Sequence, residues 1–91
     1  MSESILQPGG EKVCFLTGAR VNLDRHHIFH GCRRKASEEW GCWVWLNHDI
    51  HMALHDSDKE MDRELQRTCQ RKFEFLYGHE KFMEVFGKSY L

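Results

Sequence analysis

Apolar positions recur along the chain at two different periods, and the change from one to the other divides it. Val13-Cys14-Phe15-Leu16, running into Thr17-Gly18-Ala19-Arg20, reads as a short strand and a turn, with Val21 to Phe29 returning as a second extended segment. Cys42-Trp43-Val44-Trp45-Leu46 is aromatic and β-branched, the composition of a strand that is at least partly buried. Between these segments, His30 to Gly41 is a polar, basic connection in which Ser37-Glu38-Glu39-Trp40 can form one helical turn.

From Asn47 the period becomes helical. Asn47 has the side chain of an N-cap and Asp49 puts negative charge in the first turn, so a helix to about His55 is expected. Asp56-Ser57-Asp58 stops that helix and caps the next. Met61, Leu65, Cys69, Phe73 and Leu76 recur at spacings of three and four, an amphipathic helix from Lys59 to Leu76 that ends at Gly78. A last short helix turns Phe82, Val85 and Phe86 inward. Pro8-Gly9-Gly10 breaks any regular pattern, so residues 1–12 are expected to be a flexible leader before a single domain over residues 13–91. The predicted class is α+β: two or three strands, a short helix carrying histidines, and two covering helices.

Composition narrows the picture. A chain of 91 residues is one domain, and a domain this small buries only about 60% of its unfolded surface, so a bound metal would be a useful staple. Hydrophobic residues at 41% and charged residues at 30% exclude intrinsic disorder. There is no apolar run long enough to span a bilayer, and MSESILQPGGEK lacks the basic start and apolar core of a signal peptide, so no membrane contact and a cytoplasmic location are expected. In a reducing compartment Cys14, Cys32, Cys42 and Cys69, widely spaced, read as buried or half-buried thiols rather than disulfides. With thirteen basic residues against fourteen acidic ones, the net charge of -1 does not announce a nucleic-acid binder. Any such binding has to come from local patches and from a metal's own charge.

Candidate chemistry sits in one window. Six of the seven histidines lie between His26 and His55. His51 and His55, four apart on an expected helix, project from one face and can reach a single ion. His26 is the natural third ligand, since its strand can pair with Cys42 to Leu46, whose end delivers the helix. Three imidazoles leave coordination positions open, the arrangement of a catalytic rather than a structural site. His27, an imidazole and so a side chain suited to proton exchange near neutral pH, is then the expected general base, taking a proton from an attacking water while the cation stabilises charge on the phosphate. A regular strand sends His26 and His27 to opposite faces, so sharing a site requires the strand to end or bulge there, and Phe29-His30-Gly31 supplies an ending. Asp24, on the His26 face, is a further candidate ligand or a group that orients His26.

The pattern Cys14-x-x-Thr17-Gly18, Asn22-Leu23-Asp24-Arg25-His26-His27-Ile28-Phe29, Arg33-Arg34-Lys35-x-Ser37-Glu38, Trp45-Leu46-x-x-x-x-His51-x-x-x-His55 resembles the HNH nucleases of the ββα-metal superfamily, most closely the small HNH-type proteins of phages and prophages. The resemblance runs from about Cys14 to His55 and more weakly through Phe82 to Leu91. It implies an antiparallel hairpin with a metal-binding helix, His26, His51 and His55 as ligands, His27 as base, and hydrolysis of DNA phosphodiester bonds to a 3′-hydroxyl and a 5′-phosphate. The chain departs from the family twice. Thr17 and Asn47 stand where relatives place zinc-binding cysteines, so no four-cysteine zinc site is expected. The middle asparagine is missing from Cys42 to Leu46, leaving Asn47 as a late substitute in the catalytic set.

Arg25, Arg33, Arg34 and Lys35, with Arg20, are the candidate phosphate contacts. Arg63, Arg67 and Arg71 read instead as a solvated salt-bridge face with Glu60 and Glu64. Trp43 and Trp45 read as core rather than as base-stacking platforms. The expected function is therefore a DNA endonuclease using one divalent ion among Zn²⁺, Ni²⁺, Co²⁺, Mn²⁺ or Mg²⁺, with nitrogen ligands suiting Mg²⁺ least. A monomer this small has limited grip on DNA, which leaves room for a homodimer or a partner protein of phage DNA metabolism. Two alternatives stand beside this. One is a non-catalytic zinc module closed by Cys32, Cys42, His51 and His55 that binds nucleic acid or protein. The other is an inactive nuclease relative that keeps the metal.

Overall fold

The structure is a computed structural model and describes residues 3–91; residues 1–2, the start of the expected leader, lie outside the described residues. Two strands, β1 (Leu23–His27) and β2 (Trp43–Asn47), pair antiparallel with His26 opposite Val44 and Asp24 opposite Leu46. A 3-10 turn and helix α1 (Arg34–Glu39) connect them, and α2 (His48–Asp56), α3 (Lys59–Tyr77) and α4 (His79–Phe86) follow. The class is α+β, with a two-stranded sheet and four α-helices among the described residues.

Helix ends follow local chemistry. The Asn47 side chain accepts the backbone N–H of Asp49 and starts α2, and Asp58 accepts that of Met61 and starts α3. Gly78, at φ 92°, sits between α3 and α4 in a conformation that side chains disfavour. The expected single turn at Ser37 to Trp40 is a longer helix beginning at Arg34. Ser37 is fully buried: its hydroxyl accepts the N–H of Phe29 at 3.2 Å and donates to the carbonyl of Cys42. The N–H of Cys42 returns to the Ser37 carbonyl at 2.7 Å. This clasp joins the end of β1 to the start of β2.

The sheet has two unlike faces. Asp24, His26, Val44 and Leu46 share one, which meets α2 and α3; Arg25, His27, Trp43 and Trp45 share the other. Beside the first face, Ile28, Phe29, Leu54, Leu65, Phe73, Phe82 and Phe86 are buried, with Phe29 and Phe86 rings 4.5 Å apart. On the second, the Arg25 guanidinium lies 3.9 Å from the Trp43 ring centroid. All four cysteines are free thiols; Cys14, Cys42 and Cys69 are buried as expected, whereas Cys32 is exposed.

Three expectations change. Val13 to Leu16 is not a strand: Cys14 and Gly18 close a tight turn, and Phe15 makes a single backbone bond to the Trp45 carbonyl. The described part of the expected leader, residues 3–12, is not set apart from the domain. Ser4 is buried and donates to the Trp43 carbonyl, Gln7 accepts the N–H of Trp45 at 2.8 Å, and Ile5 bonds the Gly41 carbonyl. This segment covers the outer edge of β2, whose unpaired backbone groups would otherwise face solvent. Finally, Leu76 is half exposed, and Gln66 and Gln70 take buried positions on α3 instead. Gln70 is satisfied there by Glu74, Ser89 and the N–H of Tyr90.

Candidate metal centre

His26, His51 and His55 converge: one ring nitrogen from each lies within 4.8 Å of the others. β1 delivers His26 from its core-facing side, and α2 delivers the other two from one face a turn apart, with their Nε2 atoms 3.2 Å from each other. Ligands about 2.0–2.1 Å from a tetrahedral ion stand roughly 3.4 Å apart, so the trio fits one cation after a small contraction. Burial grades across the group, His26 buried, His51 intermediate and His55 exposed, which leaves one side open to solvent.

Nε2 of His26 is the telling atom. Among the described residues it is the buried side-chain polar atom without a hydrogen-bond partner, a state that costs roughly 1–3 kcal/mol unless something fills it. Burial, followed by the neighbouring His51, lowers the His26 pKa to about 4, so the ring is neutral and the lone pair of its unprotonated nitrogen is available to a cation. A metal fits this donor set.

Asp24 lies behind the centre rather than in it. Its Oδ2 accepts from Nδ1 of His51 at 3.0 Å and from Nδ1 of His48 at 2.7 Å. Those two hydrogen bonds hold its carboxyl below the usual range. A carboxylate on Nδ1 fixes the tautomer that leaves Nε2 of His51 free to ligate, the usual second partner of a metal-bound histidine. It orients His51, not His26. Asn47 is spent on structure: it caps α2 and donates to the Val21 carbonyl at 3.3 Å. The alternative set of Cys32, Cys42, His51 and His55 does not assemble. Cys42 is fully buried beside Cys69, Cys32 is exposed, and the described residues bring together three histidines without either thiol.

His27 occupies the other face of β1, at its last residue. Its Nε2 lies 2.9 Å from Oε1 of Glu38 on α1, and its Nδ1 accepts from Nε of Arg34 at 3.4 Å. Because the carboxylate can only accept, the proton sits on Nε2 and the lone pair on Nδ1. Glu38 also takes two hydrogen bonds from Arg25, and despite the cost of partial burial its carboxyl is held below the ordinary value by His27 and Arg25.

The basic residues divide. Arg25 is committed to Glu38 and the Trp43 ring, and Arg33 donates to the Phe86 carbonyl at 2.8 Å. Arg34 and Lys35 are exposed and line a recess with His27, Gly31, Cys32 and Glu38. Arg67 pairs with Glu64 at 3.1 Å, in keeping with a solvated salt-bridge face. Sequence reasoning assigned no role to Glu38 or Asp62. Glu38 reaches His27 across eleven positions, and Asp62 reaches His30 across thirty-two, so no local spacing announces either pair.

Among the described residues no helix is long and apolar enough to cross a membrane. No protein-family model matches the chain, and neither a curated protein nor a solved structure matches it.

Proposed function

We propose that this chain is a ββα-metal, HNH-like endonuclease that hydrolyses DNA phosphodiester bonds with a divalent cation at His26, His51 and His55. The observation that carries the reading is the convergence of those three rings around a buried nitrogen with no protein partner. A cation bound there would supply charge neutralisation at a phosphate oxygen and at the leaving oxygen. Its nitrogen donors favour Zn²⁺, Ni²⁺, Co²⁺ or Mn²⁺ over Mg²⁺.

The chain's own residues divide the remaining work. Nδ1 of His27 is the basic atom and receives the proton of the attacking water, and Glu38 holds the opposite proton so that the ring keeps this tautomer. In the free protein Arg34 covers Nδ1. A phosphate engaging Arg34 and Lys35 draws that guanidinium away and exposes the base at the moment substrate arrives. Asp24 keeps His51 turned toward the centre.

The test is cleavage of supercoiled plasmid DNA with each divalent ion in turn. Wild type should nick it, and EDTA should stop the reaction. His27→Ala should lose cutting while binding metal as before. One observation favours a second reading, a metal-holding domain without turnover: both His27 nitrogens are engaged, on the sheet face away from His26. Metal binding by wild type with no cleavage under any ion would select it.

A further inference from the structure

We infer that Asp62, on α3, is a fourth protein ligand of the three-histidine centre, held in place by His30. The inference rests on the reading of His26, His51 and His55 as a cation site. Oδ1 of Asp62 lies 3.9 Å from Nε2 of His26, the buried nitrogen with no partner. At that distance the two atoms do not hydrogen-bond to each other. Two ligands about 2.1 Å from one ion stand roughly 3.0–4.2 Å apart as their angle opens from a right angle to a straight line, so a cation between them satisfies both.

Asp62 is not otherwise explained by its helix. The first turn of α3 is capped by Asp58, which accepts the Met61 N–H, while the Asp62 side chain turns inward with 15% of its surface exposed. Its second oxygen accepts from Nε2 of His30 at 3.0 Å, and the His30 ring lies 6.5 Å from that of His55. A ligating carboxylate is itself commonly hydrogen-bonded, and His30 does for Asp62 what Asp24 does for His51. The resulting set is three nitrogens and one anionic oxygen drawn from β1, α2 and α3. It ties the long helix to the sheet through the ion and raises the centre's tolerance for harder cations such as Mn²⁺.

Co²⁺ titration of the full chain, followed by visible absorption and by Zn²⁺ competition, tests this without reference to activity. Asp62→Ala and the isosteric Asp62→Asn should each weaken Co²⁺ binding by roughly 10–100-fold and alter the absorption bands, with a smaller loss for His30→Ala. Should a variant fail to fold, the wild-type protein still reports: the Asp62 β-protons should show large paramagnetic shifts in the Co²⁺ form. Wild-type affinity and bands in both Asp62 variants, with binding lost in His51→Ala, would overturn the fourth ligand alone. A wild-type chain that takes up no Co²⁺ would overturn the centre and the fourth ligand together.

Discussion

Nδ1 of His51 donates to the Asp24 carboxylate at 3.0 Å, which turns the ring's other nitrogen toward His55 and His26. A strand residue thereby sets the tautomer of a helix residue. Removing the carboxylate leaves the three rings in place but frees His51 to take either tautomer. Asp24→Ala should lower metal affinity by roughly 10–100-fold while the circular dichroism of the domain is retained. Equal affinities in a chelator-competition titration would show that the contact is incidental.

Metal binding and folding should be linked. At a free Zn²⁺ concentration a hundred times the Kd, the bound ion adds about 2.7 kcal/mol to stability, which corresponds to a rise of about 10–20 °C in Tm for a domain of this length. EDTA should reverse the rise, and His51→Ala should abolish it. A melting curve indifferent to both reagents would remove the reason for assigning a cation here.

The metal-free domain should weaken in acid. His26 titrates at about 4 in the folded chain and near 6.5 when unfolded. Between those values the unfolded chain binds a proton that the folded chain refuses. The stability that the neutral ring supports is therefore complete above about pH 6.5 and is lost as pH falls toward 4, by about 3 kcal/mol in all. Of the charged and titratable groups facing this ring, His51, His55 and His30 favour its neutral form and Asp62 opposes it. Urea denaturation across that range should show the decline, and His26→Leu should flatten it. A wild-type profile that is level from pH 7 to pH 4.5 would contradict the assignment.

On the proposed endonuclease reading, Glu38 should matter to turnover more than to binding. Losing the carboxylate leaves the His27 ring free to rotate and to take either tautomer, so Glu38→Ala should cut kcat by roughly 10–100-fold with little change in KM. Arg25→Ala, which removes the other partner of Glu38, is the control and should retain most of the rate. If the two variants lose activity equally, the effect belongs to packing on Trp43 and not to the base.

Gly41 should resist substitution. It has φ 72°, and a Cβ there would run into the Glu3 carbonyl oxygen. Gly41→Ala should cost about 1–2 kcal/mol from backbone conformation alone, lowering Tm by roughly 5–15 °C and loosening the segment over the β2 edge. Rapid proteolysis before residue 13 in the variant, and not in wild type, would register that loosening.

What the sequence made legible was what short spacing encodes. Asn47 and Asp58 announced two helix starts, Gly78 announced an end, and the interval of four between His51 and His55 put them on one face. The edge cover by Ser4 and Gln7 was hidden because it uses side-chain hydrogen bonds to a distant strand and has no period to detect. Leu76 fitted the helical repeat, yet α3 is rotated so that Gln70 faces inward, where distant Ser89 and Tyr90 satisfy it. Asp62 and Glu38 belong to the same class: their importance exists only once separate elements meet. The opposite facing of His26 and His27 was visible in the strand's alternation, but their partners were not.

Alternation also means that two kinds of chemistry in this small sheet are one peptide unit apart. A slip of β1 by a single residue would present Arg25 and His27 to the helices and turn His26 outward, breaking up the three-histidine cluster. Ser37 is the stitch against that slip, since it grips Phe29 and Cys42 at once. Its buried hydroxyl thus holds each side of the ribbon to its own set of side chains.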